Sequence, residues 1–259
     1  MKFQRFLRSR PRDDAFGRAS AVGSPLARTH RNPLAVDKSR GPFALRVAVA
    51  LLVISALDNV EVVAAQTGTA LRGRALVETL REGGYNIYFR HAETNWSQAD
   101  RVVEAGDWTS CDPDRMRQLA DAGRQTASAI GEAMRALQIP VAHVFASPYC
   151  RTVEMARLMQ LGQTETTTDI MNLRVAEYFG GPSAIIERAR QRLSTPPHAG
   201  TNIVLVAHGN VFREATGVYP KEAEAIVCRP TGKGSYSVVA RIPPQAWERL
   251  VAEYGNRAP

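Results

Sequence analysis

Arginine and histidine side chains follow three apolar runs of the sequence that are typical of buried strands. Arg90 and His91 end the run YNIYF, His208 ends NIVLVA, and Arg151 follows VAHVFA through the stretch Ser-Pro-Tyr-Cys. Two arginines and two histidines at one place would form an electropositive pocket, which is costly unless an anion compensates it. Guanidinium groups bind phosphoryl oxygens bidentately, and imidazole can attack phosphorus. These residues therefore predict a site for a phosphoryl group.

The elements that position these residues alternate between strand and helix, which predicts an α/β fold. We expect a three-layer sandwich, in which a mostly parallel central sheet is flanked by helices. Hydrophobic periodicity predicts strands at 85–89, 141–147, 202–209, 225–230 and 235–242, and helices at 70–84, 121–138, 150–160 and 210–217. Open sheets of this type bind ligands beyond the carboxyl ends of their strands, so the arginines and histidines should meet there.

Three motifs in this order resemble those of the histidine phosphatase superfamily, in the branch that includes cofactor-dependent phosphoglycerate mutase. They are FRHAET, ASPYCRTVEMA and VLVAHGN, and the resemblance covers roughly residues 84–243. This chain departs from the family pattern at three positions. Ala92 stands where glycine is usual, Ser97 stands where the mutases tend to have asparagine, and Met155 replaces a common threonine.

The resemblance implies that His91 is the nucleophile and forms a phosphohistidine, which water then hydrolyses. It further implies that the phosphoryl oxygens are held by Arg90, Arg151 and His208, and that the substrate is contacted by Thr94, Asn95, Gly209 and Asn210. Neither a metal ion nor another cofactor is expected. One imidazole nitrogen of the nucleophile should donate to a backbone carbonyl, which fixes the tautomer.

A carboxylic acid with a raised pKa is needed to protonate the leaving oxygen. Glu177, in NLRVAEYFGG, resembles the glutamate that supplies this proton in the mutase branch. Glu222 and Glu224, in PKEAEAIV, are the competing candidates. Glu93, next to the nucleophile, is expected to form a structural hydrogen bond instead.

The predicted function is hydrolysis of a small phosphomonoester. Two alternatives share the predicted fold: a phosphotransferase similar to phosphoglycerate mutase, and a catalytically silent module that binds phosphoryl groups. A metal-dependent hydrolase is disfavoured because the sequence has no His-x-His pair and no aspartate-rich cluster.

The positive charge of the chain is concentrated in its first part. Residues 1–46 hold eleven Lys or Arg and three Asp, which accounts for the whole net charge of +8 and leaves the remainder neutral. A nucleic-acid partner is therefore not expected. The composition of this leader predicts disorder, and the apolar run at 47–57 predicts a signal segment with a cleavage site at 63–65.

We therefore divide the chain into a leader at 1–66 and a catalytic domain at 67–259, and expect export to the periplasm or the cell exterior. The alternatives are an uncleaved anchor, which would be the one membrane contact, a buried core helix formed by the apolar run, an organelle transit peptide, and a misassigned start. The sequence has no Cys-x-x-Cys pair. We expect its three cysteines to be buried thiols; they are Cys111, Cys150 and Cys228. In an oxidising compartment Cys111 and Cys150 are the pair expected to close.

Overall fold

The computed structural model describes residues 70–255. A six-stranded sheet crosses this part of the chain in the order β3-β2-β4-β1-β5-β6. Four neighbouring strands, from β3 to β1, are mutually parallel, whereas β5 pairs antiparallel with both β1 and β6. The strands are β1 (Asn86–Arg90), β2 (Val141–Ala146), β3 (Thr164–Thr166), β4 (Asn202–Ala207), β5 (Ala225–Gly232) and β6 (Ser235–Ile242).

Helices cover both faces of this sheet, which confirms the predicted three-layer α/β architecture. The α-helices are α1 (Gly73–Glu82), α2 (Asp121–Ala136), α3 (Cys150–Met159), α4 (Pro182–Ser194), α5 (Gly209–Thr216) and α6 (Pro244–Tyr254). Helices α1, α2, α3 and α6 pack on one face, in a core with Ile87 and Val204. Helices α4 and α5 pack on the other face, in a core with Tyr88 and Leu205. Neighbouring strand residues thus point into opposite cores, as the period of two requires.

Several elements were not predicted from the sequence. They are β3, α4, α6 and three 3-10 helices at Asp107–Thr109, Thr168–Ile170 and Leu173–Phe179. Helix α4 buries Ile185, Ala189 and Leu193, which lie four residues apart along one side of the helix. Pro182 at its first position is compatible with a helix start, because proline lacks only an N–H that would have no partner there.

Two of the three cysteines form a disulfide bond. Cys111 is joined to Cys150, 39 positions away, so the expectation that all three are buried thiols is wrong for this pair. The segment that precedes α2 folds back onto the start of α3, and this return brings the two sulfur atoms together. Cys228 is the buried free thiol that was expected.

The predicted leader, the apolar run and its cleavage site lie outside the described residues, so the division at residues 66 and 67 stays a prediction. Between residues 70 and 255, no helix combines the length and the apolar character needed to cross a membrane.

Candidate active site

The predicted arginines and histidines meet at one edge of the sheet. Strands β2, β4 and β1 are neighbours and parallel, so their carboxyl ends lie side by side. Arg90 ends β1, and His208 is the residue between β4 and α5. The imidazole rings of His91 and His208 lie 5.7 Å apart, at 69° to each other. The sequence therefore predicted correctly which strand ends come together.

His91 is held in a single tautomer by the backbone. The ring nitrogen Nδ1 lies 2.9 Å from the carbonyl oxygen of Ala92. The backbone N–H of His91 donates to the carbonyl oxygen of Ala207 at 2.9 Å. A carbonyl oxygen only accepts hydrogen bonds, so Nδ1 must carry the proton and Nε2 must keep its lone pair. Burial, together with the positive charges of Arg151 and Arg90, lowers the pKa of His91 well below its usual value. The imidazole is therefore neutral at pH 7.

His208 is fixed by its backbone and by one ring nitrogen. The Tyr88 hydroxyl donates to its carbonyl oxygen at 2.7 Å and accepts its N–H at 3.1 Å. Nε2 lies 2.9 Å from the Ser147 hydroxyl, while the buried Nδ1 has no hydrogen-bond partner between residues 70 and 255. Burial and the charge of Arg151 lower the pKa of His208 well below its usual value. Nδ1 is thus left for a ligand.

Two departures from the family pattern lie in contact with each other. The N–H of Ala92 points at the sulfur atom of Met155 at 3.1 Å, and both residues are buried. The methionine therefore supplies the acceptor for a backbone donor next to the nucleophile, where an unpaired N–H would be costly.

Arg151 is bound by a carboxylate that the motifs did not indicate. Its two terminal nitrogens donate to the two oxygens of Asp100 at 2.9 and 3.1 Å, while its Nε is buried without a partner among the described residues. The guanidinium also lies 4.5 Å from the ring centroid of Tyr149, which in turn packs against His208. Arg151 and Asp100 have side-chain exposures of 1% and 4%, so this ion pair is buried.

Arg90 is oriented by the segment between α5 and β5. One terminal nitrogen donates to Glu222 at 3.2 Å and the other to the carbonyl oxygen of Pro220 at 3.3 Å. The guanidinium lies over the ring of Tyr219 at 5.3 Å. A β-carbon added to Gly209 would lie 2.9 Å from that ring and 3.1 Å from Arg90 Cδ, so only glycine fits there without displacing them.

The three candidate proton donors occupy different environments. Glu177 is exposed, and its side chain forms no hydrogen bond with the described residues. Glu224 is buried against Arg241, which donates to both of its oxygens at 2.9 and 2.7 Å and lowers its pKa against the effect of burial. Glu222 is 24% exposed, and burial together with the nearby Glu93 raises its pKa. The pKa of Glu222 is thus shifted toward proton retention, whereas the pKa of Glu224 is shifted the other way.

Glu93 was expected to form a structural hydrogen bond through its side chain. Its side chain is exposed, and it is the backbone carbonyl that accepts a hydrogen bond, from Ala120 at 3.0 Å. The carboxylate of Glu93 acts at a distance instead, as one of the charges near Glu222.

The four predicted substrate contacts differ in their availability. Thr94 is buried, with a hydroxyl group that has no partner within the described range. Asn95 is exposed and accepts from the N–H and the hydroxyl of Ser97. Asn210 donates to Asn172 at 2.8 Å, and Asn172 directly precedes the 3-10 helix that carries Glu177. Gly209 begins α5 beside Arg90. Their contact with a substrate stays a prediction.

The residues that sequence reasoning missed come from two places, the segment before α2 and the second motif. This insert, residues 95–120, contributes Asp100 and Arg117, and Ser147 and Tyr149 come from the second motif. The insert has neither helical nor strand periodicity. The one signal that could have drawn attention to Asp100 is that it is an acidic residue, and the insert holds several of these. A cavity of about 1040 Å³ beside the insert is lined by Cys111, Cys150 and Arg157, but by none of the predicted catalytic residues.

No metal cluster was predicted. In the described range, no group of three or more His, Cys, Asp or Glu side chains is arranged to hold a metal ion. Metal-independent chemistry stays a prediction.

Comparison with known proteins finds one matching family model. The model of the histidine phosphatase superfamily (branch 1) matches residues 87–194, which confirms the resemblance inferred from the motifs. None of the curated proteins compared with the chain matches it.

Solved structures with a similar fold share little sequence with this chain. The protein histidine phosphatase SixA, solved with tungstate, is 10% identical, with a TM-score of 0.41, over 62% of this chain and 98% of its own. A mutant phosphoserine phosphatase from Entamoeba histolytica, solved with phosphoserine, is 11% identical, with a TM-score of 0.43 and coverages of 62% and 98%. An open-reading-frame product from Mycobacterium tuberculosis is 18% identical, with a TM-score of 0.41 and coverages of 60% and 95%.

Proposed function

From the match of residues 87–194 to the histidine phosphatase superfamily, we propose that this chain hydrolyses small phosphomonoesters through a phosphohistidine on His91. The observation that carries the proposal is the hydrogen bond from His91 Nδ1 to the carbonyl oxygen of Ala92. It leaves the Nε2 lone pair as the free nucleophile of a neutral, buried imidazole, which is the form that can attack phosphorus.

In the first step, His91 Nε2 forms a bond to phosphorus while the bond from phosphorus to the ester oxygen breaks. Negative charge lies on the equatorial oxygens in the transition state, and fixed donors around them lower the barrier. Arg90, Arg151 and His208 supply such donors. For His208 Nδ1 to donate, the Ser147 hydroxyl must donate to Nε2, which selects the matching tautomer.

We assign to Glu222 the role of donating a proton to the leaving oxygen. Burial and the neighbouring Glu93 raise its pKa, and its hydrogen bond to Arg90 places it beside a phosphoryl ligand. Glu177, the first candidate from the sequence, remains the alternative donor. After proton transfer, the Glu222 carboxylate takes a proton from the water that attacks phosphorus, so that phosphate leaves and His91 is restored.

We further propose that the enzyme is exported and uses no metal ion. The basic and then apolar order of the leader supports export. The disulfide bond between Cys111 and Cys150 adds support, because such bonds persist in oxidising compartments. Fractionation of cells that produce the full chain, followed by N-terminal sequencing, tests the export. Intact chain in the cytoplasm would contradict it.

The test of the activity is phosphate release from a small aryl phosphate by the full chain, with and without EDTA. Turnover that resists the chelator and disappears in His91→Ala is expected. His143→Ala is the matched control, since His143 is 42% exposed and pairs with Glu165, outside the site. Chelator-sensitive turnover, or turnover that survives the loss of His91, would contradict the mechanism. The absence of turnover together with tight phosphate binding would indicate the silent binding module.

The donor is tested by comparing Glu222→Gln with Glu177→Gln. With an aryl phosphate whose leaving group is poor, the variant that lacks the donor should lose about 10²- to 10⁴-fold in rate. A good leaving group needs no proton, so the same variant should lose less rate on an aryl phosphate with a good leaving group. If Glu177→Gln shows this pattern and Glu222→Gln does not, the assignment to Glu222 is wrong.

A further inference from the structure

Arg117 lies beside Arg151, although no motif marks it. Its N–H donates to the Asp100 carboxylate at 3.1 Å, and its carbonyl oxygen accepts from Arg151 at 3.2 Å. Its guanidinium lies 4.2 Å from the ring centroid of Trp96. Both the backbone and the side chain of Arg117 are thus fixed by residues at the edge of the site.

The arginines of the site differ in how far their charge is already compensated. Arg90 is paired with Glu222, and Arg151 is paired with both oxygens of Asp100. The guanidinium of Arg117 forms no ion pair with a carboxylate between residues 70 and 255, and its Nε is buried without a hydrogen-bond partner. A buried charged donor without a partner is costly unless a ligand satisfies it.

The charge of Arg117 reaches the proposed nucleophile and the second histidine. It contributes, after burial, Arg151 and Arg90, to the lowered pKa of both His91 and His208. Burial and the charge of Arg151 in turn lower the pKa of Arg117 itself. Positive charge is therefore concentrated at this point, and an anion bound there would relieve the repulsion.

We propose that Arg117 is a third guanidinium ligand of the phosphoryl group, and that Asp100 is the positioning residue that holds Arg151 and Arg117 side by side. Asp100 occupies the terminal nitrogens of Arg151 and the backbone N–H of Arg117, and so leaves the Nε–H of both arginines to donate to phosphoryl oxygens. This inference rests on the proposed function, because it assigns a further ligand within the same site.

The test is calorimetric binding of inorganic phosphate to the full chain, which needs no turnover. Arg117→Met should weaken binding by tenfold or more, about the effect of losing a charge-assisted hydrogen bond. The phosphate affinity of Arg117→Lys should lie between those of the wild type and Arg117→Met, because lysine keeps the charge but lacks the planar fork. Arg115→Met is the matched control: Arg115 belongs to the same insert, but it pairs with Asp107 and is 52% exposed. Its removal should leave phosphate binding unchanged.

A second measurement separates a ligand from a merely structural residue. In an NMR titration, the pKa values of His91 and His208 should rise in Arg117→Met and stay constant in Arg115→Met. Phosphate binding by Arg117→Met within twofold of the wild type would overturn the inference while leaving the proposed function standing. If Arg117→Met fails to fold, equal affinity of Arg117→Lys and the wild type would overturn it. A wild-type chain that binds no phosphate would overturn both proposals.

Discussion

Asp100 accepts hydrogen bonds from both terminal nitrogens of Arg151, across 51 positions of sequence. Both side chains are almost fully buried. The carboxylate thus occupies the fork of the guanidinium, the part that binds a phosphoryl group bidentately in other sites. A phosphoryl group must therefore use the remaining N–H groups of Arg151, on Nε and on the terminal nitrogen Nη2, or replace the carboxylate.

Removing the Asp100 charge should destabilise the protein and weaken the stabilising effect of phosphate. Asp100→Asn leaves a buried guanidinium uncompensated, which costs about 3–5 kcal/mol in the free energy of unfolding. Added phosphate should stabilise this variant less than it stabilises the wild type, because Asp100 no longer holds Arg151 and Arg117 in place for the anion. Urea unfolding with and without phosphate measures both effects.

A surface ion pair provides the control for Asp100. Asp121 pairs with Arg124 but is 95% exposed, so Asp121→Asn should change the free energy of unfolding by less than about 1 kcal/mol. If phosphate stabilises Asp100→Asn as much as it stabilises the wild type, Asp100 does not position the arginines for the ligand.

Replacing Gly209 should reduce activity more than stability. The added methyl group of Gly209→Ala would press on Tyr219 and Arg90 at 2.9 and 3.1 Å, and so would displace the guanidinium. A misplacement of this kind costs about 10²-fold in rate. Steady-state kinetics and a thermal melt measure the two effects. Thr216→Ala, at the far end of the same helix, should keep full activity, and full activity of Gly209→Ala would show that Arg90 tolerates the shift.

The meeting of His91 and His208 was predictable because their strands read as buried, and because parallel strands end at the same edge. The sequence order of Arg90, Arg151 and His208 is enough to place them there once the sheet is recognised. Helix α4 was predictable as well, from the spacing of Ile185 and Ala189, but the prediction missed it.

The partners of these residues could not be predicted. The pairing of Asp100 with Arg151 depends on how the insert folds back, and no local periodicity encodes that path. The sequence favours Glu177 only through its resemblance to the mutase branch, and no local pattern marks Glu222. Only burial and the charges of Glu93 and Arg90 distinguish Glu222, and these arise from tertiary contacts.

Opening the disulfide bond should weaken phosphate binding as well as the fold. Cys150 precedes Arg151, and Cys111 belongs to the insert that carries Asp100 and Arg117. The bond closes a 39-position separation, for which loss of the cross-link costs about 4 kcal/mol in the chain-entropy description. Dithiothreitol should therefore lower both the stability and the phosphate affinity of the wild type.

Two cysteine variants make this prediction specific. A Cys111→Ala, Cys150→Ala double variant should resemble the reduced wild type and should not respond to dithiothreitol. Cys228→Ala keeps the disulfide bond and should respond as the wild type does. Unchanged phosphate affinity after reduction would show that the fold alone holds the insert in place.

The stability of the protein should decrease as the pH falls below the ordinary pKa of histidine. In the folded protein, burial lowers the pKa of His91 and of His208, whereas the unfolded chain has the ordinary value of about 6.5. Below about pH 6.5 the unfolded state therefore binds protons that the folded state does not. Each histidine should then remove about 1.4 kcal/mol from the free energy of unfolding per pH unit, until its folded pKa is reached.

Urea unfolding between about pH 7.5 and 5.5, in a buffer without phosphate, measures this slope. His208→Asn should reduce the slope by about half, because one of the two buried imidazoles is gone. His143→Asn, at a position that is 42% exposed and outside the site, is the matched control. An identical slope in His208→Asn and the wild type would mean that this imidazole titrates in the folded protein as it does in the unfolded chain, and that its burial leaves it free to accept a proton.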